Sequence, residues 1–298
     1  MHRNRVYNKV EKYLSLQQAV KEKYPKVNIE YTYLNMTEME KKIAVMSAAN
    51  DSPDIMYTQE ITNLVAMKAL EPLDAYLEKD RIINKEKINK DVLDYTVVDG
   101  KLYSLPIIAR AYALGVNKAK LAQVGLNPED IKTWGDLKNA AKLLTKDGKY
   151  GYAVSQGSAR FAFREGLFGG VSNGFLPNDT SDGAKKKYIE MLNFYKEMAP
   201  YMPPAQVTWA YADMFKAYCK GAIPYRTFNG CSKINGSEQY DGIVNKYAIQ
   251  MPKLLGQSEM EVAFQGAFVK LTTDMETPEN TYNFLKSEME KINTKYKK

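Results

Sequence analysis

Histidine and cysteine are nearly missing from this chain of 298 residues, which holds one of the first and two of the second. The lone histidine, His2, lies in a polar stretch beside the N-terminus, so catalysis built on imidazole and transition-metal sites that need it have no ligand to work with. Cys219 and Cys231 stand twelve residues apart; two thiols at that spacing are not a zinc ligand set and cannot make a disulfide scaffold, although one bridge between them stays open. Long apolar runs are missing too. None reaches the roughly 18 residues of a membrane span, and Met1–Arg5 is polar, so neither a transmembrane helix nor a signal peptide is legible. A cytosolic chain, or one without its export segment, is the expectation. Basic residues exceed acidic ones, 42 Lys and Arg against 35 Asp and Glu. The excess is scattered through Lys-rich helices instead of being gathered into the block that a phosphate backbone would call for, which argues against nucleic acid as a partner.

What the chain does have is a 45% hydrophobic composition and length for about two domains. Val10, Tyr13, Leu14, Val20 and Tyr24 fall near helical spacing, and Pro25 ends that helix. Val27, Ile29, Tyr31 and Tyr33 then alternate as a strand does. Thr37 with Glu40 reads as a capping box for a helix with Met39, Ile43 and Met46 on one face. Residues 54–57 read as a short buried strand, and Ile61–Leu70 as a helix. The alternation of the two element types defines an α/β protein.

Further on, Asp99-Gly100 between β-prone residues predicts a hairpin, and Ala111–Val116 a strand. Thr133 and Asp136 cap a helix whose apolar face is Leu137, Ala140, Ala141 and Leu144. Ser155–Asp182, rich in Gly, Ser, Asn and Phe, reads as irregular connections around short helical pieces. Tyr188, Leu192, Tyr195 and Ala199 mark an amphipathic helix stopped by Pro200, Pro203 and Pro204, and another helix is expected from Trp209 to Lys220. Ala222–Phe228, Tyr247–Met251 and Gly266–Leu271 look like strands, and Tyr282, Leu285, Met289 and Ile292 stripe a last helix.

Chemistry-bearing patterns are sparse. Asp91, Asp94 and Asp99 are close in sequence, but no spacing among them demands that they meet, and acids flanking a turn are more often solvated. Gly166–Gly174 carries glycines without the Lys-Ser/Thr of a phosphate loop, and no nucleophile elbow occurs. No catalytic residue, metal ligand or cofactor is assigned.

Several segments, in order, resemble the family 1 extracellular solute-binding proteins, the carbohydrate-binding components of ABC importers. They are Tyr24–Ile29, Ser52–Tyr57 with Ala69–Leu73, then Asp99–Pro106, Tyr112–Lys118, Gly125-Leu126, Thr133–Leu137 and Asp147–Gly151. Phe215–Ile223 and Gly266–Lys270 are similar to later parts of the same family. The resemblance implies a two-lobed, periplasmic-binding-protein-like α/β fold with a hinge and a ligand cleft between lobes. It places residues 1–108 with 255–298 in the first lobe and 109–254 in the second, with crossings near Pro106–Arg110 and Pro252–Phe264. It implies permease subunits as partners, a monomeric extracellular protein anchored to the membrane in its full-length form, and no enzymatic activity. Against the family pattern both ends look shortened.

A sugar needs planar polar groups for its hydroxyls and aromatic faces for its C–H surfaces. Tyr57, Gln59, Glu60, Arg110, Trp209, Tyr211, Phe228, Asn229 and Gln265 are the candidate contacts, and the stock of 22 Tyr suits the task. Each has a plainer reading. Tyr57 equally suits a core, Gln59 and Glu60 a helix start, and Arg110 a surface ion pair. Trp209 is the favoured contact, because it follows a Pro-rich break where a ring can project; Trp134, just after a cap, is expected to pack. The alternatives are a carbohydrate-active enzyme or transferase on a similar two-lobed scaffold, and a shortened copy that binds nothing.

Overall fold

Cap and turn chemistry places most of the elements in the computed structural model, which describes residues 17–30, 36–58, 61–107, 114–219, 225–227 and 252–296. The chain divides into two compact units, Met1–Thr58 and Gln59–Lys298. In the first, residues 17–23 are helical (α1), and the Tyr24 amide donates to the Val20 carbonyl at 2.7 Å just before Pro25. Helix α2, Met36–Ala48, buries Met39 and Ile43. Residues 54–57 form no strand, and Ile55 is 91% exposed. A short apolar run becomes a buried strand only where neighbours take up its ladder, and among the described residues none pairs with it.

The second unit opens with short helices α3 (Thr62–Ala66), α4 (Asp74–Leu77) and α5 (Lys90–Asp94), then the hairpin of β1 (Val97–Val98) and β2 (Lys101–Leu102). The expected turn is there. Asp99 and Gly100 have φ of 48° and 76°, the left-handed pair that matches the strand twist, with Val97 opposite Leu102. Leu102 is locked from both sides: its amide donates to Asp74 Oδ2 at 2.9 Å and its carbonyl accepts from the Leu73 amide at 2.7 Å. The Leu102 amide is the main reason the Asp74 carboxyl is held below its ordinary range. The predicted strands near 111–116 and 222–228 are realised as β3 (Leu114–Val116) and β4 (Tyr225–Thr227), paired antiparallel.

The core is helical. Helix α6 (Lys118–Ala122) contributes Leu121, and α7 (Trp134–Leu144) buries the expected Leu137, Ala140, Ala141 and Leu144. Its capping box is complete: Thr133 Oγ1 accepts from the Asp136 amide at 3.1 Å, and the Asp136 carboxylate accepts from the Thr133 amide at 2.8 Å. Trp134 packs edge-on against Phe194 with ring centroids 5.2 Å apart and donates to Ser172 Oγ. Helices α8 (Ala159–Ser172), α9 (Asp182–Met198), α11 (Gln257–Thr272) and α12 (Pro278–Tyr296) form one packed body, with α10 (Tyr211–Cys219) beside it in sequence. Tyr188 stands at its centre, 5.7 Å from Tyr282 and 4.1 Å from Phe175 between ring centroids, while Phe264 meets Phe163 edge-on at 5.4 Å.

Two expectations are corrected here. Gly266–Leu271 is not a strand but part of α11, and the supposedly irregular stretch 155–182 contains the 14-residue α8. These two helices make the most extensive helix pair among the described residues. Both are buried around much of their circumference, which erases the one-sided stripe by which a sequence announces a helix. Met260, Phe264, Phe268, Tyr282 and Leu285 share one core with Tyr188, Leu192 and Tyr195. The expected strand Tyr247–Met251 lies outside the described residues.

Candidate functional site

Three segments of the second unit meet around one loop, Ser155-Gln156-Gly157. The loop follows a buried stretch, residues 151–155, and leads into α8. Pro203 and Pro204 preset the backbone of a 3-10 turn, Pro204–Thr208, that ends at Trp209, and the two chain segments lie side by side. The Val154 amide donates to Gln206 Oε1 at 3.2 Å, the Gln156 amide to the Gln206 carbonyl at 3.2 Å, and the Gly157 amide to the Trp209 carbonyl at 3.1 Å. Ser155 Oγ donates to that same Trp209 carbonyl at 2.9 Å. From α11, Gln265 Nε2 donates to the Gln156 carbonyl at 3.0 Å.

Gly157 is required at its position by space. A Cβ there would lie 2.3 Å from the Thr208 carbonyl carbon and 2.7 Å from the Trp209 nitrogen, atoms of a backbone that cannot swing aside. The Trp209 ring is half-buried and packs on Ala153 and Met214, together with Tyr150 and Tyr218. Gln156 is fully buried, with its Oε1 3.5 Å from Thr272 Oγ1 and no partner for its Nε2 among the described residues. Ser155, Gln156, Gly157, Gln206, Trp209 and Gln265 carry no charge and no group that titrates near neutrality. Such a set can hydrogen-bond and pack against a ring face. It offers no general acid, base or nucleophile of matched pKa.

Of the residues singled out from the sequence, Trp209 and Gln265 are brought to this loop. Tyr57 is half exposed, at the end of the first unit, and Tyr211 is the first residue of α10. Gln59, Glu60, Arg110, Phe228 and Asn229 lie outside the described residues. Ser155, Gln156, Gly157 and Gln206 were not singled out. The available signal was a polar Ser-Gln-Gly-Ser stretch directly after the apolar run Tyr150–Val154. Asp94 pairs with Lys90 at 2.7 Å, one turn away on α5. A cavity of about 580 Å3 opens elsewhere in the unit, lined by residues that include Asn178, Lys253, Glu290, Asn293 and Tyr296. It holds none of the expected contacts.

The fold is that of the two-lobed solute-binding proteins of ABC transporters. The acarbose-binding GacH receptor of Streptomyces glaucescens is similar over 96% of this chain and 95% of that one, with a TM-score of 0.69 and 14% identity. A solute-binding protein of Thermotoga lettingae solved with tagatose is similar over 95% of each chain (0.67, 15%), and one of Agrobacterium vitis solved with mannitol over 96% of each (0.68, 15%). The chain belongs to the bacterial extracellular solute-binding protein family, whose model matches residues 16–296. Binding proteins of Brucella abortus and Brucella suis are 28% identical over 144 residues, 47% of this chain. That match spans 34% of the length of those relatives. Among the described residues no helix is long and apolar enough to cross a membrane.

Proposed function

We propose that this chain binds a saccharide or polyol outside the cell, without chemical change, and hands it to the permease subunits of an ABC importer. The observation that carries the reading is the half-buried Trp209 ring, held by its own backbone in a frame of uncharged hydrogen-bonding groups. Sugar recognition asks for that combination, a ring face for C–H surfaces beside neutral polar groups for hydroxyls. The neighbours solved with tagatose, acarbose, mannitol and mannotriose support the ligand class. In this reading Tyr57, Gln59, Glu60, Arg110, Tyr211, Phe228 and Asn229 complete the contacts with Trp209. The protein acts as a monomer, uses no cofactor, metal or nucleic acid, and is tethered to the membrane.

D-tagatose, D-mannitol, mannotriose and acarbose are the probes for calorimetry and thermal shift. A ligand at a hundred times its Kd stabilises the native state by about 2.7 kcal/mol, a rise in melting temperature that a scan resolves. At least one probe binds, and Trp209→Ala weakens it tenfold or more. Sugar binding that survives Trp209→Ala unchanged, or turnover of a probe into product, would sink the reading.

A further inference from the structure

We infer that Gly157 and Gln206 are positioning residues which set where the Trp209 ring stands, and that the affinity for sugar depends on them without their touching it. The inference rests on the saccharide-binding reading for its ligand, but the placement of the ring is a property of the chain alone.

The geometry leaves the Trp209 peptide little freedom. Its carbonyl accepts two hydrogen bonds at once, from the Ser155 hydroxyl and the Gly157 amide, and its amide donates to the Gln206 carbonyl at 3.1 Å. Gln206, itself buried, holds the other segment twice, through its side-chain oxygen to Val154 and its main-chain oxygen to Gln156. The two segments therefore close like a zipper with Gln206 at the buried end and Gly157 at the solvent-facing end. Only a residue without Cβ lets the open end close, because the first atoms met are Thr208 and Trp209 backbone. Gln265 holds the middle by donating to the Gln156 carbonyl. That amide proton is committed to the loop, so Gln265 serves the same positioning purpose. A gap of about 0.5–1 Å already forfeits roughly a quarter to a half of a dispersion contact, so a misplaced ring loses contact energy.

The test uses the full chain with Trp134→Phe, which leaves Trp209 as the sole indole. In this parent Gly157→Ala and Gln206→Met each shift the emission of Trp209 to the red and weaken the tightest of the four probe sugars at least tenfold. Gly169→Ala is the control. Its Cβ would meet Met191 Cγ at 2.8 Å, within the core that Tyr195 and Met191 share and outside the cluster on which Trp209 packs. It lowers stability and leaves the emission maximum of the folded protein unchanged. The parent itself is read by hydrogen exchange, in which the Gln156 and Gly157 amides are protected together. This reading decides the matter if the variants fail to fold. Emission unmoved by both Gly157→Ala and Gln206→Met, an equal shift from Gly169→Ala, or unprotected Gln156 and Gly157 amides would each overturn the inference. If no probe sugar binds the parent, the saccharide reading fails, while emission and exchange still decide the placement of the ring.

Discussion

The Tyr195 hydroxyl donates to the backbone carbonyl of Glu165 at 2.8 Å, tying α9 to the middle of α8 where neither group meets solvent. The carbonyl sits inside a helix, so its ladder partner remains when the phenol is removed. Tyr195→Phe therefore loses one net hydrogen bond and leaves no bare buried donor. The expected cost is about 1 kcal/mol in urea unfolding with an unchanged m-value; a loss above about 3 kcal/mol would mean that Tyr195 organises more than this contact.

Alkaline pH should unfold the chain through the same side chains. Burial above all pushes the phenols of Tyr152, Tyr188 and Tyr195 up from their ordinary value, and the Glu165 charge adds to it at Tyr152 and Tyr195. The folded state keeps these protons while the unfolded chain releases them. The stabilisation is complete below a pH of about 10 and is lost as pH rises beyond it. Unfolding free energy measured from pH 8 to 11.5 should fall in the upper part of that range, and less steeply in Tyr152→Phe.

Gly166 faces the ring of Phe264, where a Cβ would lie 2.3 Å from Cδ1. Phe264 is fully buried and in edge contact with Phe163, so the ring has little room to retreat. Gly166→Ala should cost about 1–3 kcal/mol by overpacking, and Phe264→Ala about 3–5 kcal/mol by leaving a cavity. Combining Gly166→Ala with Phe264→Leu should cost less than the sum of the two single changes. Strict additivity in a double-mutant cycle would show that the two do not compete for the same space.

The α7 cap should make part of the stability sensitive to acid. Hydrogen bonds from the Thr133 hydroxyl first, then from the Lys132 and Thr133 amides, hold the Asp136 carboxyl below its ordinary value. Its contribution is present above a pH of about 4 and disappears as pH falls through the lowered folded value. Thr133→Ala should cost about 1 kcal/mol at neutral pH. In chemical denaturation from pH 6 to 2.5, Asp136→Ala should show a shallower acid limb than the parent.

Much of the fold was legible wherever the signal was local. Asp99-Gly100 specifies its turn because only small or flexible residues accept two left-handed conformations in succession. Thr133 and Asp136 satisfy each other's backbone, and α9 and α12 each show a solvated side from which the buried one can be told. The 22 tyrosines invited a reading as sugar-binding surface, yet Tyr152, Tyr188, Tyr195 and Tyr282 are core, since a phenol suits an interior as well as a cleft.

Sequence alone thus determined the α/β class, the caps and turns, and the one-sided helices. Only the tertiary structure decided that 257–272 is a helix and that residues 257–296 share a core with α8 and α9. It also decided which groups surround Trp209. A wholly buried helix has no polar side to give it a period. Gly157 and Gln206 stand 49 positions apart in sequence, and no local pattern records a backbone contact that arises only when the two segments pack.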